Sequence, residues 1–393
     1  MSKTSLLFMA LFLSLNALVL KMKDEDHIFV HLGEQKRELT LIIDPMCPFT
    51  YIFDPNSEAP KADENIIKFE NIFGEFQGIW KRDKLFLSED NNVNFDFKYL
   101  KVFSKNSKLQ ADGVLGLGYS NYTRYQESSI YYQLGFMSQI FKAELAMTYD
   151  RKNKLLTIGE IAPKSDVQPF EFPFYYEDEA GEDQNGIMEQ SIYLSLTKIS
   201  VRSYTEGYKF YLELNDKVQL GLLPTIIAPK SRTDWLKSTY FPHVNQENAQ
   251  ISIVNVPYKF FSDIYVDKVV EGLDAHLSFG DIGYQFEYFE KKDGRYRSGI
   301  KIAEHSKGIY DRWYVGLDTI NVDRADFFFD RNVIKLYSAK VIDIYNDRAT
   351  FLGKFLLFCI AVCIVLAIFL RTFCQKPKVE EECKNEEELI DKI

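Results

Sequence analysis

The segment Ala111-Asp112-Gly113-Val114-Leu115-Gly116-Leu117-Gly118-Tyr119 carries the sharpest local pattern in this chain of 393 residues. Its glycines alternate with aliphatic residues. The backbone can therefore pass close to a neighbouring strand while the aliphatic side chains fill a core. A phosphate-binding loop is a poor interpretation, because no Lys-Ser or Lys-Thr pair follows the glycines. The pattern predicts a buried strand followed by a turn.

The segments on both sides of this motif predict further strands. Phenylalanine and tyrosine, which favour strands, number 32 and 24. Several stretches combine β-branched or apolar residues with polar residues in alternation. They are residues 27–32, 39–43, 79–87, 93–103, 154–158, 191–201 and 250–256. One stretch, from Ser128 to Phe141, instead has apolar residues at helical spacings of three and four. The expected fold class is all-β.

Four motifs, in the same order along the chain, resemble those of the pepsin-like aspartic proteases, the A1 peptidase family. The segment at 111–119 resembles the family's D-G-(I/V)-L-G-L-G. Residues 41–44 are similar to the strand that presents the first catalytic aspartate. Residues 153–159 resemble a G-x-L-x-(I/F)-G turn, and residues 313–336 resemble the closing strands.

This resemblance covers about residues 27 to 340 and implies a bilobal pepsin-like (acid protease) fold. The acidic stretch from Glu177 to Asn185 has no apolar period and is typical of a linker. We therefore expect an N-terminal lobe over residues 21–185 and a C-terminal lobe over residues 186–345, with a cleft between them.

The chemistry of that family needs two aspartates that share a proton. Asp44 matches the first, although Pro45-Met46-Cys47 replace the family's Thr-Gly-Ser. Residues 220–227 align with V-D-T-G-T-S-L-L at the second turn. This alignment puts Gly221 at the second aspartate and Thr225 at the last hydroxyl, so the resemblance implies that the catalytic pair is broken.

Further residues belong to the expected cleft. Phe73 and Gly74 match the Tyr-Gly pair of the family's flap, so the flap hydroxyl is absent. Together with Thr225 they are the expected cleft residues. Asp44 is either a catalytic remnant or a polar turn residue. Cys47 is a buried free thiol, a partner in an intermolecular disulfide, or a nucleophile.

The two ends of the chain predict a single-pass type I membrane protein. Residues 1–20 have the charge and apolar run of a secretory signal peptide. Residues 351–370 are apolar over a length that crosses a bilayer, and basic residues follow directly. The tail, residues 371–393, is therefore expected in the cytoplasm, and the large domain in the lumen or outside the cell. Asn121 begins a glycosylation sequon.

Composition and motifs exclude several functions. The formal net charge is −10 and no basic stripe exists, so nucleic acid is not an expected partner. No metal or cofactor is expected. The leading hypothesis is a membrane-anchored peptidase A1 domain that is catalytically inactive and binds peptide or protein in its cleft. The alternatives are an active membrane aspartic endopeptidase and a structural or adhesive surface protein.

Overall fold

Strands dominate the structure, a computed structural model, which confirms the all-β prediction. The described residues up to Ile342 belong to one compact unit, and those from Asp343 onwards belong to another. The structure describes residues 17–24, 26–54, 65–71, 73–87, 94–103, 111–119, 127–134, 145–159, 168–176, 187–188, 192–203, 209–241, 250–255, 261–270, 272–287, 289–304, 311–338, 341–343 and 356–368.

One sheet of six strands joins the early and late parts of the chain. Its strands are β1 (Ala17–Lys21), β9 (Ala146–Asp150), β10 (Leu155–Gly159), β11 (Phe170–Pro173), β25 (Arg324–Phe328) and β26 (Val333–Tyr337). Their order is β1-β10-β9-β25-β26-β11, and every neighbouring pair is antiparallel. Each half of this sheet is therefore a hairpin with one further strand at its outer edge.

Strand β1 includes residues that the sequence assigns to the signal peptide. All five of its residues pair with β10. The side chains of Leu18 and Leu20 are buried in the apolar core. Cleavage after Leu20 would remove four of these five paired residues, so a mature domain that contains β1 has to begin no later than Ala17. Residues 1–16 lie outside the described part.

A second sheet contains the glycine-rich motif. Its strands are β2 (His27–Leu32), β3 (Arg37–Asp44), β4 (Tyr51–Phe53), β5 (Ile67–Asn71), β6 (Gly74–Phe86), β7 (Asn94–Val102), β8 (Gly113–Gly116) and β13 (Ile187–Met188), in the order β13-β5-β6-β2-β3-β8-β4-β7. A Cβ on Gly116 would collide with the carbonyl oxygen of Phe49. The close approach that the sequence predicts for this segment is therefore present.

The third sheet holds most strands of the second half. They are β12 (Tyr175–Tyr176), β14 (Ile192–Ser203), β15 (Lys209–Gly221), β16 (Ile226–Ala228), β17 (Ile251–Asn255), β18 (Phe261–Val266), β19 (Leu273–Phe279), β20 (Ile282–Phe286), β21 (Phe289–Lys292), β22 (Arg295–Ser298), β23 (Ile300–Ala303), β24 (Trp313–Gly316) and β27 (Val341–Asp343). Their order is β21-β22-β18-β23-β16-β24-β15-β14-β19-β20-β27, with β12 on β14 and β17 on β18.

Helices are short in the described part of the large unit. Helix α1 (Ile130–Gln133) begins after Ser129, whose hydroxyl accepts a hydrogen bond from the backbone N–H of Tyr131. It lies within the predicted helix, whose residues 135–141 are outside the described part. The sequence patterns did not predict the helical segment formed by Lys230–Arg232, Thr233–Trp235 and Leu236–Tyr240.

Several predictions fall wholly or partly outside the described residues. These include Asn121, the linker at 177–185 and the cytoplasmic tail. Of the predicted span, residues 356–368 are described, and they are helical and exposed. Among the residues that the structure describes, no helix has both the length and the apolar character needed to cross a membrane.

Candidate functional site

Asp44 and Gly221 occupy equivalent positions in two similar strand motifs. Strand β3 runs parallel to β8, with Asp44 opposite Gly116. Strand β15 runs parallel to β24, with Gly221 opposite Gly316. In each motif, the residue after the facing glycine donates its N–H to the carbonyl at the end of the leading strand. Leu117 donates to the Asp44 carbonyl at 2.9 Å, and Leu317 donates to the Gly221 carbonyl at 2.8 Å.

The strands that follow strengthen this equivalence. After Asp44 the chain returns as β4, which is antiparallel to β8 and parallel to β7. After Gly221 it returns as β16, which is antiparallel to β24 and parallel to β23. Both motifs therefore place a turn next to a glycine of the neighbouring strand, and only the first carries a carboxylate at the end of its leading strand.

The Asp44 carboxylate is buried, with 4% of the residue exposed. Its Oδ1 accepts hydrogen bonds from the N–H groups of Met46 at 2.9 Å and Cys47 at 3.1 Å. Its Oδ2 accepts one from Nε2 of Gln219 at 3.3 Å. Burial raises the pKa of Asp44 to about 6, although these three donors favour the ionised form.

Tyr314 fills the space beside Gly221. A Cβ on Gly221 would lie 2.0 Å from the phenol oxygen of Tyr314. That oxygen accepts a hydrogen bond from the N–H of Leu223 at 3.0 Å, and the residue is 2% exposed. Burial raises the pKa of the phenol well above its usual value, and the nearby Asp44 adds to the effect. The phenol of Tyr314 therefore occupies the space that a side chain at position 221 would need.

The equivalent residue in the first motif is smaller. Val114 pairs with Ile42, two residues before Asp44, whereas Tyr314 pairs with Gln219, two residues before Gly221. The two motifs thus differ at two positions together: the first has Asp44 and Val114 where the second has Gly221 and Tyr314.

The two motifs also contact each other directly. Gln219, at the end of β15, donates to Asp44 at the end of β3. The N–H of Leu220 donates to the sulfur of Met46 at 3.1 Å. Sequence reasoning named neither Gln219 nor Tyr314 as a site residue. Tyr314 could have been found by comparing Tyr314-Val315-Gly316 with Val114-Leu115-Gly116, whereas Gln219 gave no sequence signal.

Thr225 lies at the end of the second turn, directly before β16. Its carbonyl accepts a hydrogen bond from the N–H of Gly316 at 2.9 Å. Its hydroxyl is buried and makes no hydrogen bond with any described residue. In the first motif, by contrast, the hydroxyl of Thr50 accepts from the N–H of Gly116 at 3.1 Å. The Thr225 hydroxyl therefore orients no carboxylate among the described residues.

Phe73 and Gly74 lie at the tip of a hairpin, where Asn71 pairs with Gly74. The Phe73 side chain is buried in an apolar cluster that we call the aromatic cluster. Within it, the ring centroid of Phe69 lies 4.9 Å from that of Tyr51. The cluster takes residues from both motifs: Ile42, Phe49, Tyr51, Phe53, Phe69, Phe73, Phe76, Leu100, Val102, Val114, Ile227, Phe261, Ala303 and Tyr314.

Cys47 lies in the turn after Asp44, and its thiol donates to the carbonyl oxygen of Phe49 at 3.1 Å. Burial raises the pKa of this thiol well above its usual value, and the charge of Asp44 raises it further. A thiol that stays protonated is a poor nucleophile. The environment therefore favours a structural thiol. Within the described ranges, no group of His, Cys, Asp and Glu side chains could hold a metal ion.

Comparison with known proteins adds no relative. No protein-family model matches the chain, and no curated protein matches its sequence. The resemblance to pepsin-like proteases therefore stays a prediction from the sequence motifs.

Proposed function

We propose that this chain is a membrane-anchored protein with a bilobal pepsin-like ectodomain that lacks catalysis and binds a peptide or protein partner in the cleft between its lobes. The symmetric order of the six-stranded sheet supports the two lobes. So does the repetition of one parallel strand motif around Asp44 and around Gly221.

The observation that carries the loss of catalysis is the pair formed by Gly221 and Tyr314. An aspartic protease needs one ionised carboxylate to take a proton from water and a second carboxyl to donate one to the peptide carbonyl. Here the first motif supplies Asp44, and the second supplies a glycine whose side-chain space holds a phenol. A phenol with a raised pKa is not ionised, as the proton acceptor has to be, and it is a far weaker acid than the carboxyl that donates the proton.

Binding can persist without this pair. An extended peptide can be held by main-chain hydrogen bonds to a strand edge, with side-chain pockets providing selectivity. The hairpin that carries Phe73 and Gly74 is the element expected to cover such a peptide, with Thr225 on the opposite side. Because Phe73 is buried in the aromatic cluster, this hairpin has to move outward before a ligand enters.

The membrane anchor rests on sequence and on one structural feature. Residues 356–368 are helical, apolar and exposed throughout, as a lipid-facing helix would be. With the basic residues that follow, they support a single span with the large domain on the luminal or extracellular side. A glycan on Asn121 belongs to the same proposal.

A second candidate is a structural or adhesive surface protein. The observation that favours it is the burial of the aromatic cluster, because side chains that already pack against each other present no open apolar groove. In this alternative the ectodomain serves as a rigid scaffold, and its partner binds elsewhere on its surface.

The test uses the full-length protein purified in detergent. We expect no cleavage of a fluorogenic peptide library from pH 3 to pH 7, and retention of a subset of peptides without turnover. Inhibitor-sensitive cleavage that disappears in Asp44→Ala would refute the loss of catalysis and establish an active aspartic endopeptidase. A folded protein that retains no peptide would favour the scaffold.

A further inference from the structure

Strand β14 has a stretch that only one neighbouring strand covers. Strand β12 pairs with Ile192 and Tyr193 near its start, and β19 pairs with it from Lys198 onwards. Between these two partners β14 pairs with β15, and among the described residues no strand pairs with its other side. The pairing with β19 stops at a β-bulge between Leu196 and Lys198, because a bulge disrupts the ladder locally. The open stretch, residues 194–197, is about 13 Å long at about 3.3 Å per residue.

A cavity of about 370 Å³ lies along this open stretch. Leu194 and Ser195 both line it, although neighbouring residues of a strand point to opposite faces of the sheet. Of the described residues that line the cavity, none belongs to β15. The cavity therefore lies at the edge of β14, on the side to which its open backbone N–H and C=O groups point. Thr197 closes one end, since its Oγ1 lies 2.9 Å from the carbonyl oxygen of Ser278 and 2.8 Å from that of Gly280.

One wall of the cavity is apolar and is held in place by packing. Phe172 on β11 and Phe279 on β19 line it, and their ring centroids lie 5.7 Å apart in an edge-to-face arrangement. The ring of Phe279 also lies 5.7 Å from that of Tyr284. All three residues belong to the apolar core, so the wall is formed before any ligand arrives.

The rim of the cavity is acidic. Of the described residues that line it, Glu171 and Asp281 carry a charge and none is basic. Glu171 binds Nζ of Lys335 at 2.5 Å, whereas Asp281 is exposed in the turn between β19 and β20. Tyr175, which is 47% exposed, borders the same cavity. Because a carboxylate and an aromatic ring both attract a cation, this rim is complementary to a basic side chain.

We propose that this cavity is a second peptide-binding site, separate from the cleft, for an extended segment that carries a large apolar residue beside a basic one. The segment pairs with the open edge of β14, and its apolar side chain packs against Phe172 and Phe279. Neighbouring residues of an extended segment point to opposite sides, so the basic side chain can reach Asp281.

The dimensions limit the segment to about three residues, because the open stretch is short and the volume is at the lower end of the range of about 300 to 1,000 Å³ for ligand sites. The cavity shares no lining residue with the two motifs around Asp44 and Gly221. The proposal therefore depends neither on peptide binding in the cleft nor on the loss of catalysis.

The first experiment locates a probe on the full-length protein in detergent. The probe is the tripeptide acetyl-Leu-Phe-Lys-amide with a benzoyl group on its phenylalanine ring, which cross-links to adjacent residues on irradiation. Mass spectrometry is expected to find the label within residues 171–175 or 279–282. Excess unmodified peptide is expected to suppress the label, and acetyl-Leu-Phe-Glu-amide to suppress it less. No label, a label confined to the hairpin of Phe73 and Gly74, or equal suppression by both peptides would overturn the proposal.

Two variants test the contacts one at a time, by fluorescence anisotropy of a labelled copy of acetyl-Leu-Phe-Lys-amide. Asp281→Asn is expected to weaken binding about two- to fivefold, which is the contribution of an exposed ion pair. Asp293→Asn, the same change in the turn between β21 and β22, is expected to leave binding unchanged. Ser195→Trp fills the cavity beside β14 and is expected to abolish binding, with its fold checked by circular dichroism. Wild-type affinity in Asp281→Asn, or in a folded Ser195→Trp, would contradict the site, and the cross-linking experiment decides if Ser195→Trp does not fold.

Discussion

Replacing Gly221 with alanine tests whether Tyr314 fills the space of a missing side chain. The added methyl group would lie 2.0 Å from the phenol oxygen and 2.3 Å from Cζ of that ring. Carbon and oxygen atoms in ordinary contact are more than 3 Å apart, so the ring has to move by about 1 Å or more. Tyr314 is buried and bonded to the N–H of Leu223, which makes this movement costly.

The expected magnitude is at the upper end of the range for overpacking. Inserting one methyl group into a packed core costs about 1 to 3 kcal/mol, so we expect Gly221→Ala to cost about 3 kcal/mol of unfolding free energy. Tyr314→Val, which copies the equivalent Val114, is expected to cost about 2 to 4 kcal/mol because it leaves a cavity. In that background Gly221→Ala is expected to cost little, which gives a coupling energy of about 2 to 3 kcal/mol.

The assay is urea unfolding of the full-length protein in detergent for the wild type, both single variants and the double variant. Buried Trp313, next to Tyr314, supplies a fluorescence signal close to the site. Gly280→Ala serves as the matched control, since a Cβ there meets no atom within 4 Å and its cost comes only from a φ of +59°. That cost is expected to be the same with and without Tyr314→Val. An equal cost of Gly221→Ala in both backgrounds would refute the reasoning.

Three further predictions follow from the same structure. The single variant Gly221→Asp is expected to show no detectable binding of a statine-type inhibitor, whereas the double variant with Tyr314→Val is expected to bind it at acid pH. Calorimetry measures this binding. Binding by the single variant would contradict the steric argument. Mass spectrometry of the mature N-terminus is expected to show a start at or before Ala17, because a later start would break β1. Asn121→Gln is expected to lower the apparent mass of the protein made in a secretory host, and an unchanged mass would show that the sequon is not used.

Local sequence patterns predicted a large part of the strand framework. The glycines of β8 form a local motif, and the structure gives its reason: a Cβ on Gly113 or Gly116 would collide with a neighbouring backbone. The alternation of apolar and polar residues in β6, β7 and β14 is likewise visible within a few residues. Asp44 and Gly221 were placed at equivalent positions by short motifs that surround them. The helical segment at residues 230–240 was missed because no apolar period singled it out.

The sequence by itself determined the strand-rich class and the positions of Asp44 and Gly221, since each depends on neighbouring residues in the chain. Only the tertiary structure decided that Ala17–Lys21 completes a sheet, that Phe73 is buried, and that Tyr314 stands beside Gly221. The contacts that define the site join residues 91 and 175 positions apart. Such contacts arise when strands pair and pack over long distances, and no local period of the sequence encodes which side chains then meet.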